Sequence, residues 1–131
     1  MSDASDGEDI ESIRERKKEE LQEPTTPVEP VHVDGEDHLN DLVGDHDVVL
    51  VDFYADWCGP CQMLEPVVES IASDTAAVVA KVDVDEHEAL AGEYGVRGVP
   101  TLFLFAGGEA VEQLVGMQDE STLLELVEQH S

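Results

Sequence analysis

Apolar and polar residues are arranged from about residue 31 onward in blocks that predict strands and helices in turn. Short runs of apolar, β-branched residues predict strands, and one such run extends from Val48 to Ala55. Between these runs, apolar residues recur every three or four positions, which is the spacing of one helix face. In 60–73 the residues predicted to face the core are Met63, Leu64, Val67, Val68 and Ile71. The predicted strands are 31–33, 48–55, 77–84, 101–106 and 110–115, and the predicted helices are 36–43, 60–73, 86–94 and 119–129.

The order of these elements, β-α-β-α-β-α-β-β-α, predicts an α/β fold. Strands that are separated by helices are expected to pair in parallel. The dipeptide Gly107-Gly108 between the last two strands predicts a tight antiparallel hairpin instead. We therefore expect one domain over residues 31–131, with a mixed central sheet of about five strands and helices on both faces.

Residues 1–30 differ in composition and are expected to lie outside this domain as an acidic, disordered extension. Residues 9–22 have the composition of a short helix, and residues 23–30 contain three prolines, which predicts an extended linker. Two interpretations of the extension stay open. It is either a solubilising tail or a helix on which a partner docks.

The chain carries an extreme negative charge, with 32 acidic residues, six basic residues and a net charge of −26. Of the basic residues, only Lys81 and Arg97 lie beyond residue 30. We expect no binding to nucleic acid or to an anionic membrane, since both require clustered cations. Such a charge weakens a compact fold in dilute buffer but is screened at about 1 M salt. This predicts a protein of an extreme halophile; the alternative is an ordinary acidic protein with a solvated surface.

The N-terminal residues have neither the basic start nor the apolar core of a secretory signal. No apolar run approaches the roughly 20 residues that a membrane span needs. We expect a cytoplasmic protein that is a monomer. In that compartment, a pair of cysteines is more often catalytic or metal-binding than a structural crosslink.

The two cysteines of the chain, Cys58 and Cys61, lie where a predicted strand passes into a predicted helix. A thiolate is the nucleophile in thiol–disulfide exchange, and the free N–H groups at a helix N-terminus stabilise it. Cys61 lies one turn along the same helix face, where its sulfur can meet that of Cys58. This predicts thiol–disulfide chemistry, with Cys58 as the exposed nucleophile and Cys61 as the resolving thiol. The alternatives are an inert disulfide and half of a metal site, although the five histidines show no ligand spacing.

The string VDFYADWCGPC, residues 51–61, resembles the active-site segment of the thioredoxin family. The predicted element order agrees with the fold of that family over residues 31–131. The resemblance implies a protein-disulfide reductase that acts on disulfide-containing target proteins and is regenerated by a thioredoxin reductase. It implies no metal and no cofactor beyond the Cys58–Cys61 disulfide. The alternatives are a more specialised or more oxidising thiol exchanger and a redox-regulated binding module.

Asp52 interrupts an otherwise apolar central strand, where a buried carboxylate is costly and its pKa should rise. It matches the buried aspartate of thioredoxins, so the resemblance implies that Asp52 is the proton acceptor for Cys61. Lys81 matches the lysine that neighbours this aspartate in the family, which implies that it is the partner of Asp52. The alternative is that Asp52 lies at a wet strand end. Two positions depart from the family pattern, Tyr54 in place of a common tryptophan and Gln62 in place of a common lysine or arginine.

The segment Val99-Pro100-Thr101 matches the family's cis-proline segment, which faces the cysteines, although the sequence leaves open whether this proline is cis. The resemblance implies that the backbone of Val99 pairs with an extended substrate segment. An apolar docking surface would then surround the cysteines. Its expected substrate-binding residues are Trp57, Gly59, Pro60, Val99, Pro100 and Gly116, with Met117 beside them. For Gly116 and Met117, a place in the core is the alternative.

Overall fold

The computed structural model describes residues 26–131, which form a five-stranded sheet with helices on both faces. The strands are β1 (Val31–His32), β2 (Val48–Tyr54), β3 (Val78–Asp83), β4 (Thr101–Ala106) and β5 (Glu109–Val115). The helices are α1 (Glu36–Asp45), α2 (Gly59–Asp74), α3 (Glu88–Glu93) and α4 (Glu120–Gln129). The predicted α/β fold is confirmed, and the predicted ends of its elements differ only slightly from these. The predictions for residues 1–25, including a helix at 9–22, lie outside the described residues.

The strands are ordered β1-β3-β2-β4-β5 across the sheet. Strands β1, β3 and β2 pair in parallel, whereas β4 pairs antiparallel with β2 and β5 antiparallel with β4. The hairpin between β4 and β5 turns at Gly107 and Gly108, whose φ angles are 61° and 86°. Glycine adopts such angles without a steric penalty, which explains the predicted tight turn. The sheet is therefore mixed, with β2 at its centre.

The side chains of β2 alternate between two apolar cores, one on each face of the sheet. Val49, Val51 and Phe53 face the core that includes residues of α1 and α3. Val48 and Leu50 face the opposite core, which is covered by α2 and α4. Because side chains alternate along a strand, Asp52 projects toward the same face as Leu50, beneath α2. The fold thus places this carboxylate on the side of the sheet that carries the cysteine helix.

The buried face of α2 is formed mainly by Leu64, Val68 and Ile71. The sequence pattern also assigns Met63 to this face, and that assignment is wrong, because the side chain of Met63 is 66% exposed. Met63 precedes Leu64 by one position, or about 100° around the helix axis. It therefore projects to the side of the buried stripe.

None of the helices within residues 26–131 is long and apolar enough to cross a membrane.

Candidate active site

The two cysteines lie at the junction between β2 and α2. Cys58 is the N-cap of α2, with φ −90° and ψ 112°, and its backbone N–H donates to the Ala55 carbonyl oxygen over 3.2 Å. Pro60 lies in the first helical turn, where a missing N–H costs no helical hydrogen bond. The side chains of Cys58 and Cys61 form a disulfide, with their Cα atoms 5.2 Å apart. The strand end and the helix start thus hold both sulfurs in one turn of chain.

The hydrogen bonds around the disulfide distinguish its two sulfurs. Cys58 Sγ accepts the backbone N–H of Cys61 over 3.1 Å, and it lies 3.7 Å from the Val99 carbonyl oxygen. A free N–H at a helix start is the kind of donor that stabilises a thiolate once the disulfide is reduced. This arrangement favours Cys58 as the sulfur that carries negative charge.

The expected difference in exposure between the cysteines is absent in the disulfide form. Cys58 is 4% exposed and Cys61 is 5% exposed. Tyr54, Ala55 and Val99 pack around both of them. The assignment of Cys58 as the exposed sulfur is therefore wrong for this form. What distinguishes the two sulfurs in this form is the N–H donor to Cys58.

The residues expected to bind substrate come together around the disulfide. Trp57 is 71% exposed, and its indole Nε1–H donates to Asp85 Oδ2 over 2.9 Å, which orients the ring. Gly59 and Pro60 are exposed beside it. Trp57 with the exposed start of α2 thus forms one side of a surface that borders the sulfurs.

The loop before β4 forms the other side of this surface. Val99 is partly buried next to the cysteines, and the Val99–Pro100 peptide bond is cis. The Gly116 N–H donates to the Pro100 carbonyl oxygen over 2.8 Å, which ties the end of β5 to this loop. Gly116 has a φ of 93°, a conformation that disfavours other residues. Met117 is exposed, so the alternative that it belongs to the core is wrong.

Asp52 is a buried carboxylate in the centre of the sheet. It is 1% exposed, and it lies in register with Lys81 on β3 and Leu102 on β4. Its Oδ1 accepts no hydrogen bond from the described residues. Burial raises the pKa of Asp52 to about 7, the charge of Lys81 opposes this rise, and the charge of Glu65 adds to it. Asp52 can therefore take up and release a proton near neutral pH. The alternative of a wet strand end is wrong.

Lys81 makes its ion pair with a residue that the sequence analysis missed. Its Nζ binds both carboxylate oxygens of Glu65 on α2, and it lies 4.2 Å from the centre of the Tyr54 ring. Lys81 lies beside Asp52 in the sheet, as expected, and its positive charge lowers the pKa of Asp52. Its direct ion pair, however, is with Glu65. The sequence did contain a signal for Glu65. It lies four residues after Cys61, and residues four apart lie on the same face of a helix.

A cleft of about 180 Å³ joins Cys61 to this ion pair. At roughly 30 Å³ per water molecule, a cleft of this size holds several waters. Its lining comprises Tyr54, Ala55, Asp56, Cys61, Gln62, Glu65 and Lys81. The cleft thus offers Cys61 a route for protons toward the charged groups beneath α2. Within residues 26–131, no three histidine, cysteine or acidic side chains are close enough to hold one metal ion.

Comparisons with known proteins agree with this site. The thioredoxin family model matches residues 29–129. A thioredoxin from Chlamydia caviae is 48% identical over 85 residues, which cover 64% of this chain and 83% of that protein. A thioredoxin from Bacillus subtilis is 46% identical over 85 residues, covering 63% and 82% of the two chains. A solved structure of a mutant thioredoxin from Halobacterium salinarum NRC-1 is 63% identical, has a TM-score of 0.79 and covers 82% of this chain and 95% of its own.

Proposed function

The chain belongs to the thioredoxin family and is a protein-disulfide reductase, and from that membership we propose which of its residues carry each step. The observation that carries the proposal is the Cys58–Cys61 disulfide at the start of α2, with the Cys61 N–H directed at Cys58 Sγ. Both the family and the cysteine pair favour a reductase over a redox-regulated binding module. They give no reason to prefer a specialised exchanger.

In the first step, reduced Cys58 attacks a disulfide of the target protein as a thiolate. A bond forms between Cys58 Sγ and one target sulfur while the target S–S bond breaks. The other target sulfur leaves as a thiolate and takes a proton from solvent. The N–H of Cys61, 3.1 Å from Cys58 Sγ, supports this assignment because it stabilises the attacking anion.

In the second step, Cys61 resolves the mixed disulfide. The Cys61 thiol loses its proton to Asp52. The cleft beside Cys61 supports a relay through water, because it is also lined by Lys81, the neighbour of Asp52 in the sheet. The Cys61 thiolate then attacks Cys58 Sγ, so the Cys58–Cys61 bond forms while the bond between Cys58 Sγ and its target sulfur breaks, and that sulfur leaves as a thiolate and takes a proton from solvent. The target gains two electrons and the cysteine pair loses two. A pKa of about 7 supports Asp52 in this role, since a base near ambient pH both accepts and releases protons readily.

The target binds across the apolar surface around the disulfide. The exposed ring of Trp57 and the cis-Pro100 loop border the two sulfurs, and Gly116 is hydrogen-bonded to that loop. We propose that an extended target segment pairs with the backbone of Val99 as an added strand. Gly59 and Pro60 are exposed beside Cys58, where they can contact the target.

We further propose that a thioredoxin reductase regenerates the dithiol and that no cofactor takes part beyond the Cys58–Cys61 disulfide. The protein would act in the cytoplasm as a monomer, with neither nucleic acid nor membrane as a partner. The charge of −26 supports the last point, because both surfaces are anionic.

We propose that the protein functions in molar salt. The excess of 32 acidic over six basic residues supports this, because concentrated salt screens their mutual repulsion. The 63% identity to a thioredoxin from Halobacterium salinarum points in the same direction.

The test is the reduction of a small disulfide-containing protein in about 2 M KCl, with dithiothreitol as the electron donor. Wild type should reduce the substrate far faster than dithiothreitol alone, and Cys58→Ser should abolish that gain. Ser73→Ala on the distal end of α2 serves as a control that keeps both cysteines. Equal rates with wild type and with Cys58→Ser would refute the proposed roles.

A further inference from the structure

The ion pair between Glu65 and Lys81 lies beside the proposed proton acceptor but does not include it. Glu65 follows Cys61 by one helical turn, so its carboxylate reaches down from α2 toward β3. It binds the Lys81 ammonium through both oxygens, while the Tyr54 ring covers another side of that ammonium. Lys81 is thereby held between a carboxylate and an aromatic face.

This arrangement leaves Asp52 without a direct cationic partner among residues 26–131. Lys81 is the residue of β3 in register with Asp52, so its ammonium is the natural partner for that carboxylate. The ammonium nevertheless binds Glu65, and Asp52 Oδ1 accepts no hydrogen bond from the described residues. Two carboxylates thus compete for one ammonium, and Glu65 holds it.

We propose that Glu65 is a positioning residue that holds the Lys81 ammonium toward the open cleft, away from a direct bond with Asp52, and so sets the pH at which Asp52 exchanges its proton. Only the expected effect of Glu65 on turnover rests on the proposed function. The expected effect of Glu65 on the titration of Asp52 does not depend on that function.

Because the side chain of Lys81 is buried, loss of Glu65 should have a larger effect than loss of one partner in a surface ion pair. The side chain of Lys81 is 4% exposed, whereas that of Glu65 is 42% exposed. An exposed pair contributes little because water replaces the lost partner. Lys81 is buried apart from the narrow cleft beside Cys61, so loss of the Glu65 carboxylate would leave Asp52, its register neighbour on β2, as the carboxylate that can bind the ammonium.

Two charged groups shift the pKa of Asp52: Lys81 on β3 lowers it and Glu65 on α2 raises it. The neighbouring strand β4 contributes the apolar Leu102, and the cleft that Glu65 and Lys81 line also contains Cys61, Tyr54 and Asp56. Burial of the ring and its carboxylate neighbours raise the pKa of Tyr54 to about 12, so its hydroxyl stays neutral.

Removal of the Glu65 charge should lower the pKa of Asp52 in two ways. It removes a negative charge that raises the pKa of Asp52. It also releases a positive charge that can then bind the Asp52 carboxylate directly. Both effects favour the ionised carboxylate, so Asp52 should lose its proton at lower pH.

The experiment follows the carboxyl carbon of Asp52 by NMR through a pH titration of the reduced, full-length protein in about 2 M KCl. In Glu65→Gln, the midpoint should fall by roughly one pH unit below that of wild type. Glu69→Gln is the matched control. It removes the same charge one turn further along α2, at an exposed position that does not contribute to the shift of Asp52. An unchanged midpoint in Glu65→Gln would overturn the proposal.

A second pair of variants separates positioning from simple charge. In a Lys81→Met background, Glu65→Gln should lower the Asp52 midpoint much less than it does when Lys81 is present. A shift of equal size in both backgrounds would mean that Glu65 acts only through its own charge, and the positioning role would be wrong.

The pH dependence of single-turnover resolution of a mixed disulfide distinguishes this inference from the proposed function. In Glu65→Gln, the rate profile should move to lower pH together with the Asp52 midpoint. If the midpoint moves and the profile does not, Asp52 is not the proton acceptor. The positioning of Lys81 by Glu65 is supported all the same.

Discussion

Replacement of Asp52 by asparagine should stabilise the protein, and the gain should grow as the pH rises through the neutral range. The pKa of Asp52 is about 7 in the folded protein, against 3.8 for an ordinary aspartate. Below pH 3.8 the carboxyl is protonated in both the folded and the unfolded protein, so Asp52 does not lower the free energy of unfolding. Between the two values the unfolded chain loses the proton while the folded protein keeps it, so the free energy of unfolding of wild type falls. Above pH 7 the cost is constant.

The size of this effect follows from the gap between the two pKa values. The gap is about three pH units, and each unit corresponds to about 1.4 kcal/mol, so burial of the ionised carboxylate costs about 4 kcal/mol at high pH. About 3 kcal/mol of this should appear between pH 5 and pH 8. Because Asp52 is 1% exposed, solvent screening reduces this cost only slightly. The amide of asparagine keeps the cost of a buried polar group, but that cost does not vary with pH.

The assay is urea unfolding of the oxidised protein in about 2 M KCl, at steps of one pH unit from about pH 5 to pH 8. The difference in free energy of unfolding between Asp52→Asn and wild type cancels the titration of all other groups. Asp41→Asn, at an exposed position on α1, removes the same charge and should give a difference that varies little with pH. A difference for Asp52→Asn that stays flat across this range would refute the account of Asp52.

Two further predictions concern stability. The midpoint of thermal unfolding should rise between about 0.1 M and 2 M KCl, because salt screens the repulsion among the acidic residues, and no rise would contradict the proposed halophilic character. Phe53→Ala should lower the free energy of unfolding by about 3–5 kcal/mol. The Phe53 side chain is fully buried, with its ring centre 5.3 Å from that of Tyr94 and 5.8 Å from that of Phe103. Val111→Ala on the exposed side of β5 is the control, and an equal loss in both variants would contradict this account of the core.

Local patterns in the sequence were enough to predict the strands and helices. Apolar runs and helical spacing are properties of neighbouring residues, so they survive without knowledge of the fold. Gly107-Gly108 likewise identified the hairpin from local chemistry alone. Met63 shows the limit of this reasoning, because a shift of one position around a helix separates a buried side chain from an exposed one.

The parts of the site that were missed depend on contacts between distant residues. Glu65 and Lys81 are 16 residues apart, and only the packing of α2 on β3 brings them together. The burial of Cys58 depends on Val99, which is 41 residues away in the chain. Asp52 was found from sequence because a carboxylate in an apolar strand is anomalous by itself. The ion pair between Glu65 and Lys81 is visible only in the folded protein, although the place of Glu65 one turn after Cys61 is a signal in the sequence.

The central claim is that Cys58 attacks the target and Cys61 releases it, and trapping the mixed disulfide tests this most directly. Reduced Cys61→Ser and Cys58→Ser would each be incubated with a disulfide-containing protein in about 2 M KCl, and the products measured by intact mass. The account predicts a stable adduct at Cys58 in Cys61→Ser and almost none in Cys58→Ser. An adduct that forms equally in both variants, or mainly at Cys61, would contradict it.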